Sequence, residues 1–360
     1  MTKPSPWCYY LPHLLVGVVI VVELLKVNTF LPRLLNQYFI QIIVLVALNI
    51  MLAVSLNLIN GVAGQFSIGH AGFMAIGAYV AAWFSVNHGQ HWLAGCSGWR
   101  LEPLVTTVYL VALMLLGGLA AALGGLLVGL PSLRLRGDYL AIATLGFGEI
   151  IRVLLLSMDS VGGATGLRGI PIYSSLFVVF GATLAAVLVL HNLANSTHGR
   201  ALLAIREDET AAEALGINCA HYKTSAFVIG AFFAGVAGCL YAHYMDAIHP
   251  ADFDFMKSIL LVLIVVLGGG NLWGVIIAAA VMTLLPEGLR QVKDVLHLKT
   301  DPRMVIYALL LIAVMLVGRE RIADAMRARV WTPFFRGFVA LRNRLLGSSA
   351  ARRKGGDPAD

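Results

Sequence analysis

"GGLAAALGGLLVG", Gly117–Gly129, decides the architecture. It carries no charge and lies in an apolar run over 104–130. About 20 such residues in a helix span the hydrocarbon core of a bilayer. Gly125 and Gly129 stand at GxxxG spacing, which lets a second helix backbone approach closely. The stretch reads as a membrane helix packed tightly on its neighbours rather than as a ligand-binding glycine motif.

Working outward, the same kind of run recurs at 11–27, 39–59, 66–87, 138–157, 176–193, 222–245, 258–268, 271–286 and 303–318. The run at 258–268 is too short to span alone. "GGGN", Gly268–Asn271, separates it from the next, leaving one broken helix or a tight hairpin. The whole chain is 59% hydrophobic and 12% charged over 360 residues, with a mean hydropathy of +0.83. Soluble domains carry roughly 25% charged residues. So much apolar surface does not fit inside one globule, and lipid must solvate it.

The net charge of +7 does not point to nucleic acid. Ten basic residues cluster after Gly318, from Arg319 to Lys354. Basic residues beside a last span mark the cytoplasmic side and meet anionic lipid headgroups. If the tail is cytoplasmic, and "GRALLAIREDETAAEALGIN" (Gly199–Asn218) is too, an odd number of crossings lies between Gly199–Asn218 and the last span. The region 258–286 must then be a hairpin. The expected fold is all-α: a polytopic membrane bundle of about ten segments, some broken or short, with both termini cytoplasmic. It divides into 1–35 with a first span, a transmembrane domain over 36–318 with a cytoplasmic loop at about 194–221, and a basic tail over 319–360. The charge pattern is not uniform: Arg33, Arg100, Arg168, Lys257, Arg290, Lys293, Lys299 and Arg303 would all face out.

Several chemistries are excluded. No GxxxxGK[ST] phosphate loop occurs, so ATP is not bound by that route. There is no HExxH, GxSxG or CxxC, and Cys8, Cys96, Cys219 and Cys239 show no paired spacing. No cofactor or metal is expected. Within the spans, Glu23 stands in the first, and Glu149 and Arg152 sit at i,i+3 in the fifth. Such a pair neutralises itself inside a bundle or lines a permeation path.

Two stretches carry chemistry. In "SLNLINGVAGQFSIGHAGFMAIGAYVAA" (Ser55–Ala82), Asn57, Asn60, Gln65, Ser67 and His70 alternate with glycines. Irregular backbone at membrane depth is tolerated where protein or a water-filled cavity shields it. The stretch is either a short loop with His70 in the core or a broken helix beside a translocation path. In Gly199–Asn218, residues 195–197 offer N-caps and Gly216 a C-cap. Leu202, Ile205, Ala212 and Leu215 fall near one face, and Arg206 stands three residues before Glu209. The segment reads as a short helix or helix pair, serving as a docking surface or a solvated connector.

From about Asn36 to Gly318 the chain resembles the LivM-type permease subunit of ABC importers for branched-chain amino acids. The resemblance rests on the Ser55–Ala82 stretch, on "LRLRGDYLAIATLGFGEIIR" (Leu133–Arg152), on "GGATGLRGIP" (Gly162–Pro171), on Gly199–Asn218 and on "VVLGGGNLWGV" (Val265–Val275). It implies a second related permease, two cytoplasmic ATPase subunits and a periplasmic or extracellular substrate-binding protein. It also implies the bacterial cytoplasmic (inner) membrane as location. ABC permeases carry a cytoplasmic EAAxxxG loop that seats in a groove on the ATPase. Here the matching string is "TAAEALG", with Thr210 in place of the first Glu. The resemblance thus assigns coupling to Arg206, Glu209, Ala211, Ala212, Glu213 and Gly216, with Glu209 and Glu213 rivals for the anchoring carboxylate. Ala212 and Gly216 are expected at close backbone contact. Leucine, isoleucine and valine are the expected substrates. Urea, short amides or other amino acids are alternatives within the fold, and a proton-coupled carrier is the alternative outside it.

Overall fold

The computed structural model describes residues 36–94, 102–132, 137–296 and 309. The expected spans at 11–27 and 303–318, Glu23 and the basic tail lie outside these residues, apart from Leu309. Contacts divide the chain into Met1–Arg303 and Met304–Asp360. Ten α-helices are described, all in the first unit. Five helical stretches are long and apolar enough to cross a membrane: Gln37–Val62, Val105–Leu130, Tyr139–Ser157, Leu176–Asn195 and Cys219–Met245. They match five of the expected runs.

The first helix, α1 (Gln37–Asn57), runs on into a π-helical turn over Leu58–Val62. The chain then leaves helical geometry through Gly64, at φ +69°, and resumes as α2 (His70–Ala94). Next come α3 (Glu102–Ser132) and α4 (Asp138–Ser157). The expected run at 66–87 therefore begins four residues later, at His70, because the loop of 63–69 occupies its start.

The tightest packing joins α2, α3 and α8 (Cys219–Met245). Glycine makes it so. A Cβ on Gly77 would lie 2.3 Å from the Gly235 backbone, and one on Gly235 2.6 Å from the Gly117 carbonyl oxygen. Within the opening stretch, a Cβ on Gly125 would meet the Ala231 methyl at 2.6 Å. In lipid no hydrophobic force drives helices together, so this van der Waals contact is what holds them.

The region 258–286 forms two helices, α9 (Phe255–Leu267) and α10 (Leu272–Leu296), packed against each other. Gly269 (φ +65°) and Gly270 (φ +71°) make the reversal. From that turn α10 runs back along α1. Asn57 Nδ2 donates to the Gly270 carbonyl at one end, Asn49 Nδ2 donates to Thr283 Oγ1 (3.0 Å) along the way, and the Tyr38 hydroxyl donates to Glu287 at the other end. At 13 residues α9 is about 20 Å long, short of the roughly 30 Å hydrocarbon core.

The polar connection between α4 and α5 (Leu176–Asn195) holds two 3₁₀ turns and a strand, β1 (Leu167–Arg168). This strand pairs antiparallel with β2 (Ala247–Ile248), beyond α8. Gly166 fits against the Ile248 carbonyl, where a Cβ would come within 2.4 Å. The clasp ties the α4–α5 and α8–α9 connections at one end of the bundle.

Candidate functional site

Between α5 and α8 the chain forms a bent helix pair. Ser196 starts α6 (Thr197–Glu207), accepting from Gly199 N at 3.3 Å. The bend from α5 is tight: a Cβ on Gly199 would sit 2.0 Å from the Ala194 carbonyl oxygen. Leu202 and Ile205 turn inward. At Asp208 the backbone extends (φ −155°, ψ 110°), and its carboxylate accepts from Ala211 N at 3.0 Å to begin α7 (Glu209–Ala214). Gly216 closes α7 in the left-handed region (φ +83°), with Ile217 N donating back to the Ala212 carbonyl at 3.1 Å. That is the glycine-dependent C-cap expected from sequence. Asn218 then caps α8.

The break at Asp208 changes which side chains face out. Ala211, Glu213 and Gly216 are exposed, and nothing lies within 4 Å of where a Gly216 Cβ would be. Leu215, expected on the buried face, is 81% exposed. Of the two forms expected, a short helix or a helix pair, the pair is found: α7 restarts at Glu209 and ends before Leu215. Ala212, expected at close backbone contact, turns its side chain inward and packs with Ile205 and Cys219. Glu209 does not meet Arg206. It pairs with Lys223 of α8 at 2.6 Å, while Arg206 pairs with Glu207 at 2.6 Å. Arg206 also donates from Nη1 to the Gly61 carbonyl at 2.8 Å. The two helices thus separate the charges that a single helix would have placed together.

The α1–α2 break stands beside this pair. Asn60 clamps it: Nδ2 donates to the Ser67 carbonyl, and Oδ1 accepts from Ser67 N, each at 3.2 Å. Thr144 of α4 accepts from Ile68 N, and Ser258 of α9 accepts from Ala71 N. Both side chains satisfy donors at the start of α2 that no helix bond reaches. Ser55 lies 2.8 Å from His70 Nε2 and gives its own proton to the Leu52 carbonyl. His70 is fully buried in the core, and the chain passes from the π turn to α2 through the loop of 63–69. Four buried polar atoms here have no protein partner among the described residues: Asn57 Oδ1, Gln65 Oε1, Ser67 Oγ and His70 Nδ1. Each such group costs about 1–3 kcal/mol if left unpaired.

Glu149 and Arg152 form their ion pair at 2.8 Å, each side chain about a third exposed. They do not join the break. Their helix is the least buried span, with 17% of its apolar window inside against 78% for α1. Sequence reasoning missed Lys223, Thr144 and Ser258, whose partners are remote in the chain. It also missed a polar cluster at the clasp end, where Tyr173 stacks on His243 with ring centroids 5.8 Å apart. Burial raises the Tyr173 phenol above its ordinary range, against a smaller opposing effect of Ser85.

The family described as "Branched-chain amino acid transport system / permease component" matches residues 38–316. Among similar proteins, the high-affinity branched-chain amino acid transport system permease protein LivM of Escherichia coli (strain K12) is 34% identical over 309 residues. That covers 76% of this chain and 68% of the relative. The probable LivM permease of Methanocaldococcus jannaschii is 25% identical over 237 residues, covering 60% and 68%. The LivH permease protein of Salmonella typhimurium is 28% identical over 285 residues, covering 71% and 84%. No solved structure matches the chain.

Proposed function

Because the chain belongs to the family of branched-chain amino acid transport permease components, we propose that it is driven through its α6–α7 pair by ATPase subunits on the cytoplasmic side. It is a permease subunit of an ABC importer for branched-chain amino acids, and not an enzyme. One observation carries the energetic reading. A capped helix pair presents Ala211, Glu213, Leu215 and Gly216 outward, in a chain with no phosphate loop of its own. Glu213 is the anchoring carboxylate in this reading, because Glu209 is already held by Lys223.

Leucine, isoleucine and valine are the substrates, delivered by a binding protein on the far side of the bacterial inner membrane. In this reading the chain keeps ten crossings, with both termini cytoplasmic. The α9–α10 reversal supports the return over 258–286 that parity requires, and its turn at Gly270 lies beside Asn57, near the α6–α7 end. A second permease completes the path. The exposed face of α4 supports a seam there, because an ion pair about a third exposed is poorly solvated by lipid tails. The unpaired polar atoms between Asn57 and His70 support a polar lining beside the break.

The substrate is tested by leucine uptake into vesicles holding the assembled transporter and its binding protein. Excess unlabelled isoleucine or valine is expected to suppress labelled leucine uptake, and urea or acetamide to leave it unchanged. Suppression by the amides alone would move the substrate to the alternative class.

A further inference from the structure

The sequence places Arg206 among residues facing an ATPase, but its side chain reaches the other way. Two contacts tie it to the turn that ends α1, and a third, to Glu207, orients it. Its Nη1 donates to the Gly61 carbonyl at 2.8 Å. Its aliphatic stem covers Gly64, where a Cβ would come within 2.4 Å of Arg206 Cγ. Nε and Nη2 both donate to one carboxylate oxygen of Glu207, which fixes the guanidinium plane.

The chemistry explains why an arginine suits this place. A helix leaves its last carbonyls without N–H partners, and they carry partial negative charge. In the π turn, Ala63 N bonds the Leu58 carbonyl and Gln65 N bonds that of Ile59. Among the described backbone bonds none reaches the Gly61 carbonyl, so the guanidinium caps it from a different element, 145 residues away. Gly64 must lack a side chain twice over, for its left-handed φ and for the arginine stem above it.

From that contact the bonds continue inward. Asn60, one residue before Gly61, holds Ser67 through two hydrogen bonds. Three residues on, His70 opens α2 and touches Ser55. We propose that Arg206 is the positioning residue that transmits movement of the α6–α7 pair to the α1–α2 break, by capping the Gly61 carbonyl. This rests on the reading of α6–α7 as the face an ATPase moves. A planar guanidinium with Nη1 on the Gly61 carbonyl and its other donors on Glu207 transmits both pull and twist, whereas a freely rotating ammonium at the same place transmits less.

The test uses the whole transporter in vesicles, with both permeases, the ATPases and the binding protein. It reads three quantities: ATPase recovered with the permease, leucine taken up, and ATP hydrolysed per leucine. Arg206→Ala is expected to recover the ATPase at the wild-type ratio, to cut uptake about tenfold, and to raise ATP consumed per leucine by a similar factor, the scale of one charged hydrogen bond. Arg206→Lys, which keeps the charge and the stem, is expected to restore part of both, and it decides the matter if the alanine variant does not reach the membrane. Loss of the ATPase from either variant would make Arg206 a docking residue and overturn the assignment. Wild-type uptake and stoichiometry in Arg206→Ala would overturn it too. Absence of ATP-driven uptake by the wild-type complex would instead defeat the reading of the protein as an ATP-driven permease.

Discussion

Glu209 and Glu213 stand one helical turn apart, and their surroundings give them different tasks. Lys223 neutralises Glu209 at 2.6 Å, while Glu213 faces outward. Glu213→Gln is therefore expected to lower the ATPase co-purified with the permease severalfold, as loss of an interface charge pair does. Glu209→Gln should keep the ATPase and cost the fold about 1 kcal/mol or less, since the pair lies near the surface. Equal loss of the ATPase from both variants would contradict this division. Asn60 gives a second case. Asn60→Leu removes both bonds to Ser67 and leaves two backbone groups without partners. A loss of about 2–4 kcal/mol is expected, read as a lower unfolding temperature of the purified protein. An unchanged temperature would mean that the break is held by Thr144 and Ser258 alone. The caps at Ser196 and Gly216 were legible in the sequence because capping is local chemistry. The Glu209–Lys223 and Arg206–Gly61 contacts were not, because no periodicity reports which residue of another helix lies opposite.

Among the elements, the most constrained are α2, α3 and α8, where Gly77, Gly117 and Gly235 bring three backbones together. Gly235→Val would drive a branched side chain into the Gly117 carbonyl and the Ala121 methyl. Overpacking of this kind costs about 1–3 kcal/mol or more, so the variant is expected to lose most of its folded yield in detergent. Gly146→Ala, at a position with nothing within 4 Å, should retain it. Small residues in "GGLAAALGGLLVG" announced close packing, but not which helices meet. The bend at Asp208 shows the opposite limit. Leu215 followed the phase of one helix on paper, yet an extended Asp208 that also caps α7 resets that phase and turns Leu215 outward. The hairpin at Gly268–Asn271 was reached from parity rather than from local pattern, since three glycines fit a kink as well as a reversal. Its left-handed residues and the contacts of α10 along α1 are tertiary facts.

For the whole molecule, the membrane class was written in composition, and five spans lay where apolar runs predicted them. The break between α1 and α2 was visible as glycines and amides in an apolar run. Its junction with the α6–α7 pair was not visible, because it joins residues about 145 positions apart. On the proposed reading, this junction is where work done outside the chain enters it. On the same reading, transport is driven by ATP hydrolysis in partner subunits, not by an ion gradient across the permease itself. The direct measurement is leucine uptake into proteoliposomes, with and without the ATPase subunits, energised either by internal ATP or by a proton gradient. Uptake that requires the ATPases and ATP, and that persists when the gradient is collapsed, is the predicted result. Uptake by this chain without ATPases, driven by the proton gradient, would contradict it.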